Sequence, residues 1–307
     1  MADRLGVVVM AYGTPARLED VEAYYTHIRR GRRPEPQQLA ELVARYEAIG
    51  GISPLAERTE AQRQALARAL DERRPDGTVV VLGQKHAAPF IEDAVAALAE
   101  QGITAVVGLV LAPHYSGASV GEYLGRLHEA ATQAGMAVGA VESWHLEAPH
   151  LAFLTAAVRD GLAGLPERTK VLFTAHSLPE RVLQDDPYPD QLRESAAAVA
   201  EAAGLDRWAG WSLCWQSAGR TPEPWRGPDI LSVLEDLAET GRADGVLVCP
   251  QGFTSDHLEV RYDLDIEARA KAESLGLAFA RTRVLNDDAA TFAALADRVL
   301  AAAPEGA

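Results

Sequence analysis

The chain has 307 residues, of which 48% are apolar and 24% are charged. This composition is typical of a globular protein and excludes a collagen-like, coiled-coil or disordered chain. The formal net charge is −15, from 29 basic and 44 acidic residues, so binding to nucleic acid is disfavoured because like charges repel. The length predicts about two domains.

The cysteines and the hydropathy pattern indicate the cellular compartment of the protein. Cys214 and Cys249 both lie in apolar runs, which predicts buried free thiols in a reducing compartment. The sequence shows no secretory signal, and no apolar run approaches the ~18 residues that span a bilayer. We therefore expect a cytoplasmic protein with no stable membrane association.

Short apolar runs rich in β-branched residues alternate with amphipathic patterns along the whole chain. The predicted strands are, in chain order, 5–11, 78–84, 105–112, 137–141, 170–175, 210–215, 245–250 and 277–282. The predicted helices are 18–30, 36–49, 57–72, 89–101, 120–134, 151–162, 189–203, 228–240, 257–274 and 289–302. Continuous apolar strands between helices predict an α/β fold with parallel sheets flanked by helices.

The two halves of the chain echo each other. Residues 9–15 and 173–179 each form an apolar strand that ends in Ala, an aromatic residue, two further residues and Pro. We predict two similar domains, 1–145 and 146–307, with the C-terminal helix able to pack back on the first. Because ligands bind beyond the carboxyl ends of parallel strands, a shared cleft is expected there. The side chains that this rule places near it are Tyr12, Lys85, His86, His114, His176, Gln216 and Ser255.

One histidine and three carboxylates are candidates for metal chemistry. His176 ends a strand, and it is either a hydrogen-bonded, half-buried residue or a metal ligand or proton acceptor. Glu259, Asp263 and Glu267 recur every four residues along one predicted helix. They form either a solvated acidic face or a line of oxygen ligands for a divalent cation. Glu259 falls near the same strand ends as His176. The interpretation of His176 as a metal ligand or proton acceptor and that of the carboxylates as metal ligands therefore support each other.

Basic and aromatic residues suggest an anionic, flat ligand. Arg29 and Arg30 belong to a short arginine cluster, and Arg45 follows on the next helix. The cluster is either a solvated face or a partner for carboxylates, which the guanidinium binds with two parallel hydrogen bonds. Trp225 lies in the proline-rich segment 221–228, where it either anchors the loop to the core or faces a flat apolar ligand.

Several segments together resemble the ferrochelatase family, in its soluble Gram-positive type that acts on coproporphyrin III. They are Met-Ala-Tyr-Gly-Thr-Pro (10–15), Tyr-Tyr-Thr-His-Ile-Arg-Arg-Gly (24–31), Tyr-Glu-Ala-Ile-Gly-Gly-Ile-Ser-Pro-Leu (46–55), Ala-His-Ser-Leu-Pro (175–179), Asp-Pro-Tyr-Pro-Asp-Gln (186–191) and Ser-Asp-His-Leu-Glu-Val (255–260). The resemblance covers nearly the whole chain. It implies two Rossmann-like domains with the porphyrin between them, and insertion of Fe²⁺ as a substrate into coproporphyrin III in haem biosynthesis.

The resemblance also assigns roles. His176 and Glu259 would form the catalytic pair, with Asp263 and Glu267 continuing as an outer metal site. Tyr12 would approach the opposite porphyrin face and could ligate the inserted iron. The remaining residues expected to contact substrate are Arg29, Arg30, Arg45, Ser53, Tyr123, Lys85, His86 and Trp225.

Cofactor and partner expectations follow, together with alternatives. Some family members carry a [2Fe–2S] cluster on four cysteines, and with two cysteines we expect none. The family suggests a monomer that touches the next haem-pathway enzyme transiently. Alternatives are a protoporphyrin IX ferrochelatase, a cobalt or nickel chelatase for another tetrapyrrole, and a carrier that binds tetrapyrrole without turnover. The carrier is disfavoured because binding alone needs no base-and-ligand pair.

Overall fold

Two parallel four-stranded sheets make up the centre of the computed structural model, which describes residues 4–206, 210–219 and 221–306. The first sheet has the order β2-β1-β3-β4. Its strands are β1 (Leu5–Ala11), β2 (Thr78–Gln84), β3 (Ala105–Val110) and β4 (Ala137–Val141). All residues of β1 and β3 are buried, as expected for central strands covered on both faces.

The second sheet repeats this topology with the order β6-β5-β7-β8. Its strands are β5 (Thr169–His176), β6 (Trp211–Gln216), β7 (Gly245–Cys249) and β8 (Ala278–Arg281). In each sheet the first strand of its half lies between the second and the third. The expected similarity of the two halves is thus present in their strand order.

The helices connect and flank the strands. They are α1 (Val21–Ile28), α2 (Pro36–Ala48), α3 (Leu55–Arg73), α4 (Ile91–Glu100), α5 (Val120–Gln133), α6 (Ala148–Leu162), α7 (Tyr188–Ala203), α8 (Ile230–Glu239), α9 (Arg269–Ser274) and α10 (Ala289–Ala301). A π-helix, Val260–Ala268, runs directly into α9. Short 3₁₀ turns occupy Leu18–Asp20 and Glu180–Val182. None of the helices in the described ranges is long and apolar enough to cross a membrane.

The largest hydrophobic core joins the two halves. Leu66 of α3, Phe173 of β5 and Phe292 of α10 belong to one cluster together with side chains of β1, β3, α6 and α7. Helix α10 packs against α3 and α6 and reaches β3 and β4, so the last helix of the chain covers the first sheet. The continuous core fixes the positions of the two sheets relative to each other.

The predicted elements agree with the structure at most positions. The limits of β1, β2 and β4 are those expected, and the other strands differ by one or two residues. The prediction of a continuous α-helix over 257–274 was wrong, because residues 260–268 form the π-helix. In a π-helix the hydrogen bonds run from i to i+5, so residues four apart still share a face.

Candidate active site

A cleft of about 1200 Å³ lies beyond the carboxyl ends of the strands and is lined by both halves of the chain. It is larger than the ~300–1,000 Å³ of ordinary small-molecule pockets. Twelve of the residues singled out from the sequence line it: Tyr12, Arg29, Arg30, Arg45, Ser53, Lys85, His86, His114, Tyr123, His176, Ser255 and Glu259; Gln216, also expected near it, does not. The cleft can therefore hold a large molecule between one wall from each half.

His176 and Glu259 face each other on the wall formed by the second half. His176 is the last residue of β5, and its Nε2 lies 3.5 Å from Oε1 of Glu259. The Nδ1–H group of His176 donates to the carbonyl of Ser177, which directs Nε2 towards Glu259. Burial opposes protonation of His176, but the Glu259 charge and these hydrogen bonds outweigh it and raise the pKa of His176 to about 9.

Glu259 has an imidazole on each side. Its Oε2 lies 3.6 Å from Nε2 of His257, whose ring contacts Phe253 with 4.8 Å between the ring centroids. Burial favours the neutral acid, but His176 and His257 outweigh it and hold the pKa of Glu259 well below its usual range. Near neutral pH the pair is therefore a carboxylate beside an imidazolium.

His257 was not among the residues predicted to be functional, although it lies in one of the motifs quoted above. It could have been identified because it lies two residues before Glu259, at the predicted start of a helix. Because residues 250–257 form a loop between β7 and the helix, His257 lies outside the helical periodicity and can turn back towards Glu259. The cleft lining contains both residues.

The expected outer metal site at Asp263 and Glu267 is not assembled. Asp263 pairs with Arg45 and accepts a hydrogen bond from Ser217 Oγ, while Glu267 is exposed and lies outside the cleft lining. Among the described residues no three His, Cys, Asp or Glu side chains are grouped closely enough to hold a metal ion. The acidic line thus contributes one residue, Glu259, which pairs with His176, rather than a ready-made cation cage.

Asp263 is nevertheless an unusual carboxyl group. Burial, partly offset by Arg45, raises its pKa to about 6, and the negative charges of Glu259 and Glu267 act in the same direction as burial. The Arg45 guanidinium also lies over the Tyr262 ring, with 4.5 Å to its centroid. The predicted role of Arg45 as a carboxylate partner is thus met within the protein by Asp263, in place of a ligand.

The wall of the first half presents a phenol and an imidazole. Tyr12 follows β1 and is 43% exposed, and its ring lies 4.6 Å from that of His86 between centroids. Burial of the hydroxyl and the charge of Glu259 raise the pKa of Tyr12, so the phenol stays protonated near neutral pH. Burial and the neighbouring Lys85 lower the pKa of His86 to about 3, so this imidazole is neutral.

Lys85 and Tyr123 form a polar corner next to His86. The Lys85 ammonium pairs with Glu122 at 2.5 Å and lies 5.1 Å from the centroid of the buried Tyr123 ring. His86 in turn has Nδ1 3.0 Å from Nδ1 of His27, so one of the two nitrogens donates and the other accepts. The expected position of Lys85 and His86 at the cleft is therefore observed.

The residues expected to bind carboxylates also line the cleft. Arg29 lies over the Tyr25 ring with 5.6 Å to the centroid, and the neighbouring Arg30 is exposed. Ser53 is buried, and its Oγ accepts a hydrogen bond from the Leu55 amide at the start of α3. Arg29 and Arg30 form a basic rim that is half-buried at Arg29 and exposed at Arg30, whereas the Ser53 hydroxyl is engaged by the backbone of α3.

The proposed contact of Trp225 with a ligand is not supported. Trp225 lies outside the cleft lining; its indole Nε1 donates to Thr221 Oγ1 at 2.9 Å, and its backbone bridges to Pro179. A Cβ atom on Gly219 would lie 2.4 Å from the indole ring, so the ring packs directly on a residue of the cleft wall. Trp225 is half-buried and packs on Gly219, so it braces the loop locally rather than anchoring it to the core, which was the other interpretation of its proline-rich surroundings.

Comparison with known proteins identifies relatives over nearly the full length. The ferrochelatase family model matches residues 4–303. The chain is 45% identical over 304 residues to the coproporphyrin III ferrochelatase of Bacillus subtilis, covering 97% of each chain. It is also 45% identical over 288 residues to the coproporphyrin III ferrochelatase of Halalkalibacterium halodurans, covering 92% of each.

Solved structures show the same fold at low sequence identity. SirB from Bacillus subtilis with Fe³⁺ has a TM-score of 0.56 at 12% identity, and the match covers 97% of this chain and 94% of that one. CbiX, the terminal enzyme of sirohaem biosynthesis in denitrifying bacteria, has a TM-score of 0.52 at 15% identity, covering 97% and 99%. The expected architecture of two α/β halves around a cleft is confirmed.

Proposed function

The chain belongs to the ferrochelatase family, and from this premise we propose that it inserts Fe²⁺ into coproporphyrin III, giving coprohaem and two protons. The observation that carries the proposal is the His176–Glu259 pair on one wall of a 1200 Å³ cleft, with Tyr12 on the other. A macrocycle between the walls would have the base on one face and the phenol on the other. Relatives at 41–45% identity bear the name of this activity.

The chemistry needs a group that takes protons from the two inner N–H groups of the porphyrin and handles the metal. His176 Nε2 and the Glu259 carboxylate supply a nitrogen and an oxygen ligand, a combination suited to Fe²⁺ and weak enough to release it. The pair holds one proton near neutral pH, and this proton must pass to solvent before Nε2 can bind the metal. Once Fe²⁺ has moved to the porphyrin nitrogens, the freed imidazole and the Glu259 carboxylate can accept the protons that leave the ring.

The substrate proposal rests on charge at the rim. Coproporphyrin III carries four carboxylates, and the half-buried Arg29 and the exposed Arg30 line the cleft. Arginine binds carboxylates bidentately, and contacts remote from the reacting nitrogens contribute binding energy that can bend the ring. The two additional carboxylates distinguish this substrate from protoporphyrin IX.

The experiment is an anaerobic metallation assay with coproporphyrin III and protoporphyrin IX, followed by the visible absorption of the porphyrin. We expect Fe²⁺ insertion into coproporphyrin III, and a loss of at least about 100-fold in kcat for His176→Ala because the base is removed. His128→Ala, on the exposed face of α5, is the matched control.

Two results would contradict the proposal. Binding of porphyrin without any metallation would identify a carrier, and full activity of the His176→Ala variant would exclude the pair as the catalytic centre. Faster insertion into protoporphyrin IX would overturn the substrate alone. Preferential insertion of Co²⁺ or Ni²⁺ would identify another chelatase.

We also infer that the protein acts as a cytoplasmic monomer without an iron–sulfur cluster and meets the next haem-pathway enzyme transiently. Cys214 and Cys249 are buried in different strands, and burial raises the pKa of each thiol, which disfavours the thiolate that a cluster needs. The purified protein of the metallation assay should contain no acid-labile sulfide and should sediment as a monomer.

A further inference from the structure

An arginine behind the cleft ties together the two ends of the segment that carries Glu259. Arg281, the last residue of β8, is 12% exposed at its side chain and does not line the cleft. Its Nε and Nη2 donate to both oxygens of Asp265, at 2.6 and 2.9 Å. Its Nη2 also lies 3.4 Å from Oδ1 of Asp256.

The two carboxylates flank Glu259 in the chain. Asp256 precedes Glu259 by three residues, in the loop after β7, and Asp265 follows it by six, within the π-helix. Asp256 is fixed further by Asn286, whose side-chain amide exchanges two hydrogen bonds with the Asp256 carboxylate and amide, at 3.2 and 3.1 Å. One guanidinium therefore holds both ends of the segment against β8.

The contacts of Arg281 with Asp256 and Asp265 fix the position of the segment that carries Glu259 and take no part in the reaction itself. Glu259 lies 3.5 Å from His176, which belongs to a different element, so a small shift of the segment changes the distance between the two metal-handling groups. Arg261 also pairs with Asp256, at 3.2 Å, but it belongs to the segment itself and so does not tie it to β8. Without the Arg281 guanidinium the segment would lose its side-chain attachment to β8, while Asn286 and Arg45 would still hold Asp256 and Asp263.

We propose that Arg281 is a positioning residue for the Fe²⁺ step, acting through Asp256 and Asp265 to hold Glu259 in register with His176. This inference rests on the proposed function and adds a residue to it. The porphyrin-binding wall of the first half, with Tyr12, His86 and the arginine rim, is not attached to Arg281. Replacing Arg281 should therefore weaken the binding of the metal and leave the binding of the porphyrin unchanged.

The experiment compares Arg281→Met and Arg281→Lys with Arg168→Met. Arg168 forms an equally bidentate pair with Asp244, at 2.6 and 2.8 Å, but at an exposed position away from the cleft, which makes it a matched control. Co²⁺ binding is titrated without porphyrin by visible absorption, and the KM for Fe²⁺ and for coproporphyrin III are measured separately. Near-ultraviolet circular dichroism verifies that each variant is folded.

We expect Arg281→Met to weaken Co²⁺ binding and to raise the KM for Fe²⁺ about tenfold each, as for loss of a group that orients a metal ligand. The KM for coproporphyrin III should stay within about twofold. Arg281→Lys, which keeps the charge but loses the planar fork, should lie between Met and wild type. Arg168→Met should match wild type.

Equal changes in both KM values, or Co²⁺ binding that Arg281→Met leaves unaltered, would overturn the proposal. So would a Co²⁺ signal that His176→Ala does not diminish. If Arg281→Met fails to fold, Arg281→Lys and Asp265→Asn are used in its place. They test the proposal by the same comparison of the KM for Fe²⁺ with the KM for coproporphyrin III. If wild type binds Co²⁺ through this pair but inserts no iron, the proposed function fails while the positioning role remains.

Discussion

At the scale of single residues, the second imidazole beside Glu259 gives a direct test of how the carboxylate is held. We expect His257→Leu to lower kcat for iron insertion about tenfold, less than the loss for His176→Ala, because Glu259 keeps one imidazole but loses the other. The 3.6 Å contact and the packing of His257 on Phe253 motivate this expectation. The measurement is the initial metallation rate at saturating porphyrin.

The control for this prediction is His128→Leu, since His128 is exposed on α5. A His257→Leu variant with unchanged kcat would show that His176 alone orients Glu259.

The sequence predicts some of these residues and misses others for a physical reason. His176 and Glu259 could be identified because each ends or begins an element at the carboxyl edge of a parallel sheet. The pairing of Arg45 with Asp263 could not, because it joins side chains 218 residues apart. Such a contact depends on how the halves face each other, which no local pattern reports.

At the scale of elements, the loop from β7 to the π-helix approaches β5 through a glycine. A Cβ atom on Gly252 would lie 2.6 Å from Cβ and 2.9 Å from Cα of Ala175, the residue before His176. The Gly252 amide also donates to the Thr174 carbonyl at 3.1 Å. The absence of a side chain thus lets the loop that leads to Glu259 pack directly against the strand that carries His176.

We predict that Gly252→Ala lowers kcat/KM for Fe²⁺ about tenfold, because the loop must move away from β5 and backbone atoms cannot yield as a flexible side chain would. Gly125→Ala, within α5, is the control: a Cβ there meets no atom within 4 Å, and the change should stabilise the helix by about 0.5–1 kcal/mol. Metallation rates and urea unfolding give both quantities. A fully active Gly252→Ala variant would contradict the close-approach argument.

The strands were predicted well because buried parallel strands leave continuous apolar runs with Gly or Pro near their ends. The π-helix was missed because the apolar spacing of residues 257–274 fits an α-helix as well. The π-helix contains Asp265 and Asp263, which pair with Arg281 and Arg45. Contacts with distant elements therefore accompany the change from α-helical to π-helical hydrogen bonding.

At the scale of the whole molecule, the internal echo in the sequence predicts two related halves, and the repeated strand order agrees. The shared core is less predictable. The apolar face of α10, with Phe292 and Leu295, reads as an ordinary amphipathic helix. We expected this helix to be able to pack back on the first domain; in the structure it lies on α3, and one core spans both sheets.

The same junction contains a cluster of buried histidines. His114 accepts or donates a hydrogen bond with Ser195 of α7 at 2.8 Å, His145 pairs with Glu194 at 3.0 Å, and the His150 ring lies 5.0 Å from the Trp144 ring. In the described part of the chain, neither ring nitrogen of His150 has a hydrogen-bond partner. Burial, opposed in part by Asp288, lowers the pKa of His150 to about 4.

This lowered pKa predicts an acid-sensitive junction. Since the folded pKa is below the unfolded value of about 6.5, unfolding takes up a proton between them, so stability is full above pH 6.5 and falls as the pH drops towards 4. From pH 7.5 to 5 the loss from His150 is about 2 kcal/mol, or roughly 3 °C in Tm for a chain of this length. His150→Phe keeps an aromatic ring against Trp144 but cannot be protonated, so its Tm should fall less than that of wild type by that amount.

Thermal unfolding at pH 7.5 and at pH 5 tests this prediction, with the exposed His128→Gln as the control. Equal falls in Tm for wild type and His150→Phe would show that the junction does not sense acid through this residue.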